Sequence, residues 1–187
     1  AWLAYTIDGD WGDRTLYVRS YDAADLEAFR HLLGFLTDHD SQVGEVHVET
    51  GTDNPLHAMV DDPDDLSPKL TTGPMIRFVD VPAALESLSY PDGVDATVEV
   101  GIRDPLLETV AGRYRLAVAG GEATVDRVGD DPTGDAVASI GAFSQLAVGY
   151  RGADALAATD DLETDRETVE TLAAVFPETA TYLREGF

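Results

Sequence analysis

From residue 94 to residue 102 the apolar side chains Val94, Ala96, Val98, Val100 and Ile102 alternate with polar or small ones. A period of two puts all five on one face of a strand, so this segment must belong to a sheet covered on one side. Residues 113–118 and 122–128 alternate in the same way around Gly120-Gly121, and two glycines between alternating runs mark a tight hairpin. These strands need a layer to cover them, and the pattern changes to supply one. Ser139 is placed to cap a helix carrying Ile140, Phe143, Leu146 and Ala147 that stops near Gly149. Thr164-Asp165-Arg166-Glu167 reads as a capping box for an amphipathic helix with Val169, Leu172, Ala173 and Phe176 that ends before Pro177. Residues 75–79 read as a strand, and residues 82–88 as a helix opened by proline.

The first part of the chain has a different style. Residues 2–7 and 15–21 read as strands joined by a turn-rich loop, Asp8-Gly9-Asp10-Trp11-Gly12-Asp13. Leu26, Phe29, Leu32, Leu33 and Leu36 then fall on one helical face, behind the acids Asp22, Asp25 and Glu27 that suit a helix N-terminus. Residues 44–50 alternate Val46 and Val48 with Glu45, His47 and Glu49, as in a half-exposed strand. Strand, strand, helix, strand is half of a domain. The two styles meet at residues 61–74, where acids mix with three prolines in a linker pattern. The expected domains are residues 1–70 and 74–187. Sheet and helices interleave without a regular βαβ beat, so the fold class is α+β: a mixed sheet with packed helices, preceded by a partial α/β segment. Ala1 falls inside the first strand and no methionine precedes it, so the sequence reads as cut from something longer.

At 187 residues with 44% hydrophobic content the chain can bury a sizeable core. Its formal charge of −24, with Lys69 the only lysine, excludes phosphate-rich partners: neither nucleic acid nor an anionic membrane is expected. Aspartate dominates the acids, with runs such as Asp61-Asp62 and Asp64-Asp65 in loops, which reads as the hydrated surface of a halophilic protein. The absence of cysteine removes disulfides and thiolate metal sites. With no signal peptide and no apolar run of spanning length, the expectation is cytoplasmic.

Little else offers chemistry. His31, His39, His47 and His57 match no zinc spacing, and His39 reads as a helix C-terminal cation. Asp8-x-Asp10 with Gly12 lacks the far glutamate of a calcium loop, so no metal is expected. There is no Gly-x-Ser-x-Gly elbow. Arg77 with Asp80, and Arg103 with Asp104, read as structural pairs that fix a turn or an interdomain contact. Phe78, Phe143, Leu146, Tyr150 and Phe176 read as core rather than as an apolar tunnel.

Five patterns run in order along the chain: Phe35-Leu36-x-x-His39-Asp40; Met75 through Leu85, with Arg77 and Asp80; Arg103-Asp104-Pro105 leading to Gly112-Arg113-Tyr114-Arg115-Leu116; Ile140-Gly141-Ala142-Phe143 through Gly149-Tyr150; and Phe176-Pro177 through Phe187. Together they resemble the C-terminal part of the enhanced-intracellular-survival (Eis) type of GNAT-family N-acetyltransferase. The resemblance implies an N-terminal GNAT domain that binds acetyl-CoA, a second, degenerate GNAT-like domain, and a C-terminal domain similar to sterol carrier proteins. On that reading residues 1–70 are the end of the second domain and residues 74–187 are the sterol-carrier-like one. The Arg/Gln-x-x-Gly-x-Gly/Ala pyrophosphate loop does not occur here, so the acetyl-CoA-binding domain, with the family's general-acid tyrosine, is expected to be a missing partner, leaving this chain inactive alone.

The resemblance also assigns roles. The terminal carboxylate of Phe187 would be the general base for a small amine substrate, and Glu185 would attract that amine. Acetyl-CoA would be the cofactor of the parent enzyme, with none held in this chain. Family members tend to form hexamers, which makes further copies of the chain an expected partner. Two competing readings are a sterol-carrier-like lipid-binding module and a structural oligomerisation domain.

Overall fold

The computed structural model describes residues 1–183. It divides into two compact units, Ala1–Leu56 and His57–Phe187. In the first, β1 (Trp2–Asp8) and β2 (Thr15–Asp22) form an antiparallel hairpin. Its loop turns through Gly9 and Gly12, both in the left-handed region at φ +109° and +99°. A register shift opposite Ala4 and Tyr5, which pair with Ser20 and Val18, leaves Arg19 as the extra residue of a bulge in β2. Helix α1 (Leu26–Thr37) then carries the chain over to β3 (Glu45–Val48), which lies parallel to β2. The order is β1-β2-β3, with α1 on one face. Leu16, Val18 and Leu36 are the buried centre of a small core edged by Leu3, Ile7 and Leu33. The third strand is shorter than its alternation suggests, and Val46 is exposed.

The second unit is built on a five-stranded mixed sheet, β6-β5-β4-β7-β8. Strand β4 (Ala96–Arg103) buries Val98, Val100 and Ile102 on one face, as the alternation requires. It pairs antiparallel with β5 (Gly112–Ala119), which pairs antiparallel with β6 (Glu122–Gly129). Gly120 and Gly121 sit at φ +61° and +81°, the two left-handed residues of a two-residue hairpin turn. The chain then crosses the sheet to β7 (Ala136–Ser139), parallel to β4 on its other side. Gly101 makes the crossing possible: a Cβ there would stand 2.5 Å from the carbonyl carbon of Pro132. Strand β8 (Leu162–Thr164) closes the sheet against β7.

Four helices, α2 (Val81–Glu86), α3 (Ile140–Ala147), α4 (Ala153–Ala158) and α5 (Arg166–Val175), contribute to one core. Leu85, Phe143, Leu146, Leu156 and Leu172 are fully buried in it, each worth roughly 1.5–3 kcal/mol by transfer. Ser139 caps α3 by accepting from the Ala142 N–H at 3.1 Å. The expected fold class therefore holds: α+β, with two mixed sheets and packed helices.

Two local expectations change. Residues 75–79 form no strand, because their polar groups go to tertiary anchors: the Arg77 guanidinium pairs with Asp104, and the Phe78 N–H donates to Ser144 Oγ at 3.1 Å. The cap of α5 falls one residue later than the capping box places it. Asp165 Oδ1 accepts from the Thr168 N–H at 2.8 Å, while Thr164 ends β8.

Candidate functional site

A helix N-terminus that follows a central strand offers unpaired N–H groups and a positive dipole end, and so is where such a fold can hold a phosphate. In the first unit that position is the step from β2 through Ala23 and Ala24 to Asp25 and α1. The step contains no glycine. Asp25 caps the helix itself, accepting from the Ala28 N–H at 2.8 Å, and Asp22 and Glu27 flank it. One of these donors is taken and the local charge is negative, so these residues do not fit the pyrophosphate of a coenzyme. Between α1 and the sheet, Leu3, Val18, Phe29 and Leu33 line a space of about 20 Å³. That is roughly the volume of a single water, far too small for a coenzyme.

In the second unit, the arginine and aspartate pairs read from the sequence exchange partners. Arg77 bridges to Asp104, not Asp80, and Asp80 caps α2 by accepting from the Ala83 N–H at 3.1 Å. Arg103 pairs with Glu163 on β8, with Nη2 2.8 Å from Oε2. Neighbouring residues at a strand end point to opposite sides, so Arg103 and Asp104 reach different neighbours. The Asp104 carboxylate is fully covered and also accepts from the N–H groups of Leu106 at 2.8 Å and Leu107 at 3.0 Å. Burial pushes its pKa up, but these two N–H groups and the Arg77 guanidinium outweigh it and hold the carboxyl below the ordinary aspartate value. The bridge is thus an anchor for residues 77–78 rather than a poised acid.

Phe143, Leu146 and Phe176 are core, with the rings of Phe143 and Phe176 edge to face at 6.2 Å between centroids. Phe78 packs against the same core. Tyr150 departs from that expectation, standing 59% exposed. His39 does sit at the C-terminal end of α1, its Nδ1 3.0 Å from the Phe35 carbonyl oxygen and its Nε2 3.3 Å from the Tyr5 hydroxyl. Among the described residues no three His, Asp or Glu side chains gather into a metal-holding group. No helix among them is long and apolar enough to cross a membrane.

Phe187 and Glu185 lie outside the described residues. The chain leading to them is described as far as Leu183, and its departure from the second unit is well defined. Phe176 is buried, the Thr179 N–H donates to the Gly149 carbonyl at 2.9 Å, and the Gly152 N–H donates to Glu178 Oε2 at 3.2 Å. Sequence reading passed over these contacts. Gly149 signalled a helix end, and nothing in the sequence pointed from it to residues 178 and 179.

Comparison with known proteins bears on both units. Residues 81–184 match the sterol carrier protein domain family, and residues 1–78 match the acetyltransferase (GNAT) domain family. No curated protein matches the chain. Among solved structures it resembles a GCN5-related N-acetyltransferase from Anabaena variabilis ATCC 29413, at 21% identity and TM-score 0.79 over 99% of this chain and 47% of that one. It also resembles a probable N-acyltransferase of unknown function from Enterococcus faecalis V583, at 24% identity and TM-score 0.83 over 98% and 45%. Eis1 from Mycobacterium abscessus gives 24% identity and TM-score 0.74 over 99% and 48%. At these identities the likeness is one of fold, and the chain spans about half the length of the structures it matches. A GNAT-type domain is present within the chain itself, so the matches do not confirm the expectation that the GNAT domain lies wholly elsewhere. Because the sterol carrier match takes in more than half of its residues, the chain belongs to the sterol carrier protein domain family, with an acetyltransferase (GNAT) domain ahead of that part.

Proposed function

We propose that this chain is the C-terminal portion of an Eis-like, acetyl-CoA-dependent N-acetyltransferase acting on small amines, and that it supplies the proton acceptor while the coenzyme is held by a domain outside residues 1–187. The observation that carries this reading is the succession of a GNAT domain and a sterol carrier domain in one chain. The Asp25 cap on α1 supports placing the coenzyme elsewhere. An ammonium has no lone pair, so amine acetylation needs a base to take a proton from the nitrogen. The Phe187 carboxylate fills that role in this proposal. A free α-carboxyl titrates at roughly 3.3–3.7, so it must act beside the amine or in a partly dry cleft that raises its basicity. Glu185, two residues earlier, would draw the cationic amine in.

The test is thiol release. With acetyl-CoA and a panel of primary amines, the chain alone is expected to give background release, and turnover would overturn the placement of the coenzyme site. Joined to an acetyl-CoA-binding GNAT domain it is expected to turn over, and to lose that activity when one residue is added after Phe187. Membership of the sterol carrier family favours a second reading, a lipid-binding module. The packed aromatic core around Phe143 and Phe176 weighs against it. Saturable, stoichiometric binding of a fluorescent fatty-acyl probe would reverse that preference.

A further inference from the structure

We propose that Gly149 and Glu178 are positioning residues that fix the direction in which the C-terminal segment leaves the sterol-carrier-like unit; this rests on the reading that the Phe187 carboxylate is the base. Helix α3 stops at a turn in which Gly149 adopts φ +74° and Gly152 precedes α4. Both glycines are buried; the chain after α5 covers Gly149, and Gly152 lies under the side chains of Asp154 and Glu178. A Cβ on Gly149 would lie 2.9 Å from the Pro177 carbonyl oxygen and 3.3 Å from the Thr179 nitrogen. A Cβ on Gly152 would lie 2.7 Å from Asp154 Oδ1 and 3.0 Å from Glu178 Oε2. The two glycines therefore make a saddle: the backbone of residues 177–179 fills the space over Gly149, and the Asp154 and Glu178 carboxylates fill that over Gly152. Phe176, buried just before, pins one end of this strap, and the Glu178 carboxylate on the Gly152 N–H ties its middle. In this proposal Phe187 follows Thr179 by eight residues, so the point where the strap is tied bounds where the terminal carboxylate can reach. An acid aimed by a docked strap loses little freedom when a substrate arrives, and exact placement is where a carboxylate of weak intrinsic basicity gains rate.

Amide hydrogen exchange in the full 187-residue chain tests the latch without reference to catalysis. In Glu178→Ala the amides of Gly152 and Thr179 are expected to exchange about tenfold faster while β4 and α3 keep their protection, and Glu178→Gln, which retains an acceptor oxygen, is expected to restore most of the slow rate. Gly149→Ala should loosen the same amides. If it lowers protection throughout the unit, the Glu178 pair decides. Unchanged exchange in Glu178→Ala overturns the latch, whatever Phe187 does. The second arm uses the chain joined to an acetyl-CoA-binding domain, with acetyl-CoA and primary amines. Glu178→Ala is expected to lower kcat about tenfold at similar KM, with Glu178→Gln near wild type. Loosened exchange with unaltered kcat, in an enzyme that still dies when Phe187 is extended, overturns the positioning role and leaves the base assignment standing. An enzyme indifferent to that extension overturns the base assignment, and the positioning role with it.

Discussion

The two units solve the same problem, covering one face of a sheet, with very different resources. In Ala1–Leu56 one helix covers three strands, and Leu16, Val18 and Leu36 are the only core residues buried among those described. In the second unit the core runs from Val81 to Phe176 and draws on four helices and the central strands. A unit of this first size is marginal by itself, because a small domain buries a smaller share of its chain's surface. The contrast teaches that a GNAT-type topology can persist in a chain whose local packing would scarcely hold it, whereas the sterol-carrier-like unit carries its own stability.

The strongest challenge to that contrast is core truncation. Phe143→Ala is expected to cost about 3–5 kcal/mol and to lower the circular-dichroism transition. Both tryptophans, Trp2 and Trp11, lie in the first unit, so fluorescence reports on that unit alone. Leu16→Ala should move the fluorescence transition further than the circular-dichroism one, to which the four helices of the second unit contribute most. Wild-type unfolding followed by both probes in urea should show the fluorescence change first, and coincident curves would remove the distinction between the units.

A second prediction sharpens the contrast through the anchor at Asp104. Its carboxyl is deprotonated in the folded protein at pH values where the unfolded chain already binds a proton. Its contribution is therefore complete above the ordinary aspartate value and is lost as pH falls through the depressed one. Melting temperatures of Asp104→Asn and wild type should differ clearly at neutral pH and converge in strong acid; a gap that persists in strong acid would assign the effect to packing instead. Salt acts on both units. With a charge of −24, raising sodium chloride from about 0.01 M to about 1 M should raise the melting temperature, and more for the first unit, whose core resists repulsion least. A flat response would remove the halophilic reading of the surface. The smallest effect is expected from Ser139→Ala, about 1 kcal/mol by loss of the α3 cap, visible in the circular-dichroism transition only.

What the sequence makes legible follows from length and period. Strand β4 and the Gly120-Gly121 hairpin are readable because eight-residue strands alternate long enough to reveal a covered face. Helix α1 is readable because its leucines recur at helical spacing behind Asp25. Helix α4, with the sequence Ala-Asp-Ala-Leu-Ala-Ala, and the three-residue β8 are too short for either period, and tertiary packing alone specifies them. The exchange of partners between Arg77, Asp104, Arg103 and Glu163 escapes sequence reading because adjacency along a chain does not show which distant residues lie beside each face. The proposed base at Phe187 is visible only by resemblance, since a terminal carboxylate has no residue type to recognise. The glycine saddle is a matter of what lies over Gly149, and one sequence cannot show that.

Gly101 also bears on the order in which the second unit assembles. Strands β4, β5 and β6 are joined by their own turns and can zip up from local contacts, which close quickly. Strand β7 can join β4 only after residues 130–135 have been laid across the sheet with Pro132 over Gly101. Closure of the sheet, and with it the seating of α3 and α5, is therefore expected to be the late event in folding. A methyl group at position 101 would act chiefly on that step, slowing refolding far more than it alters the finished meander.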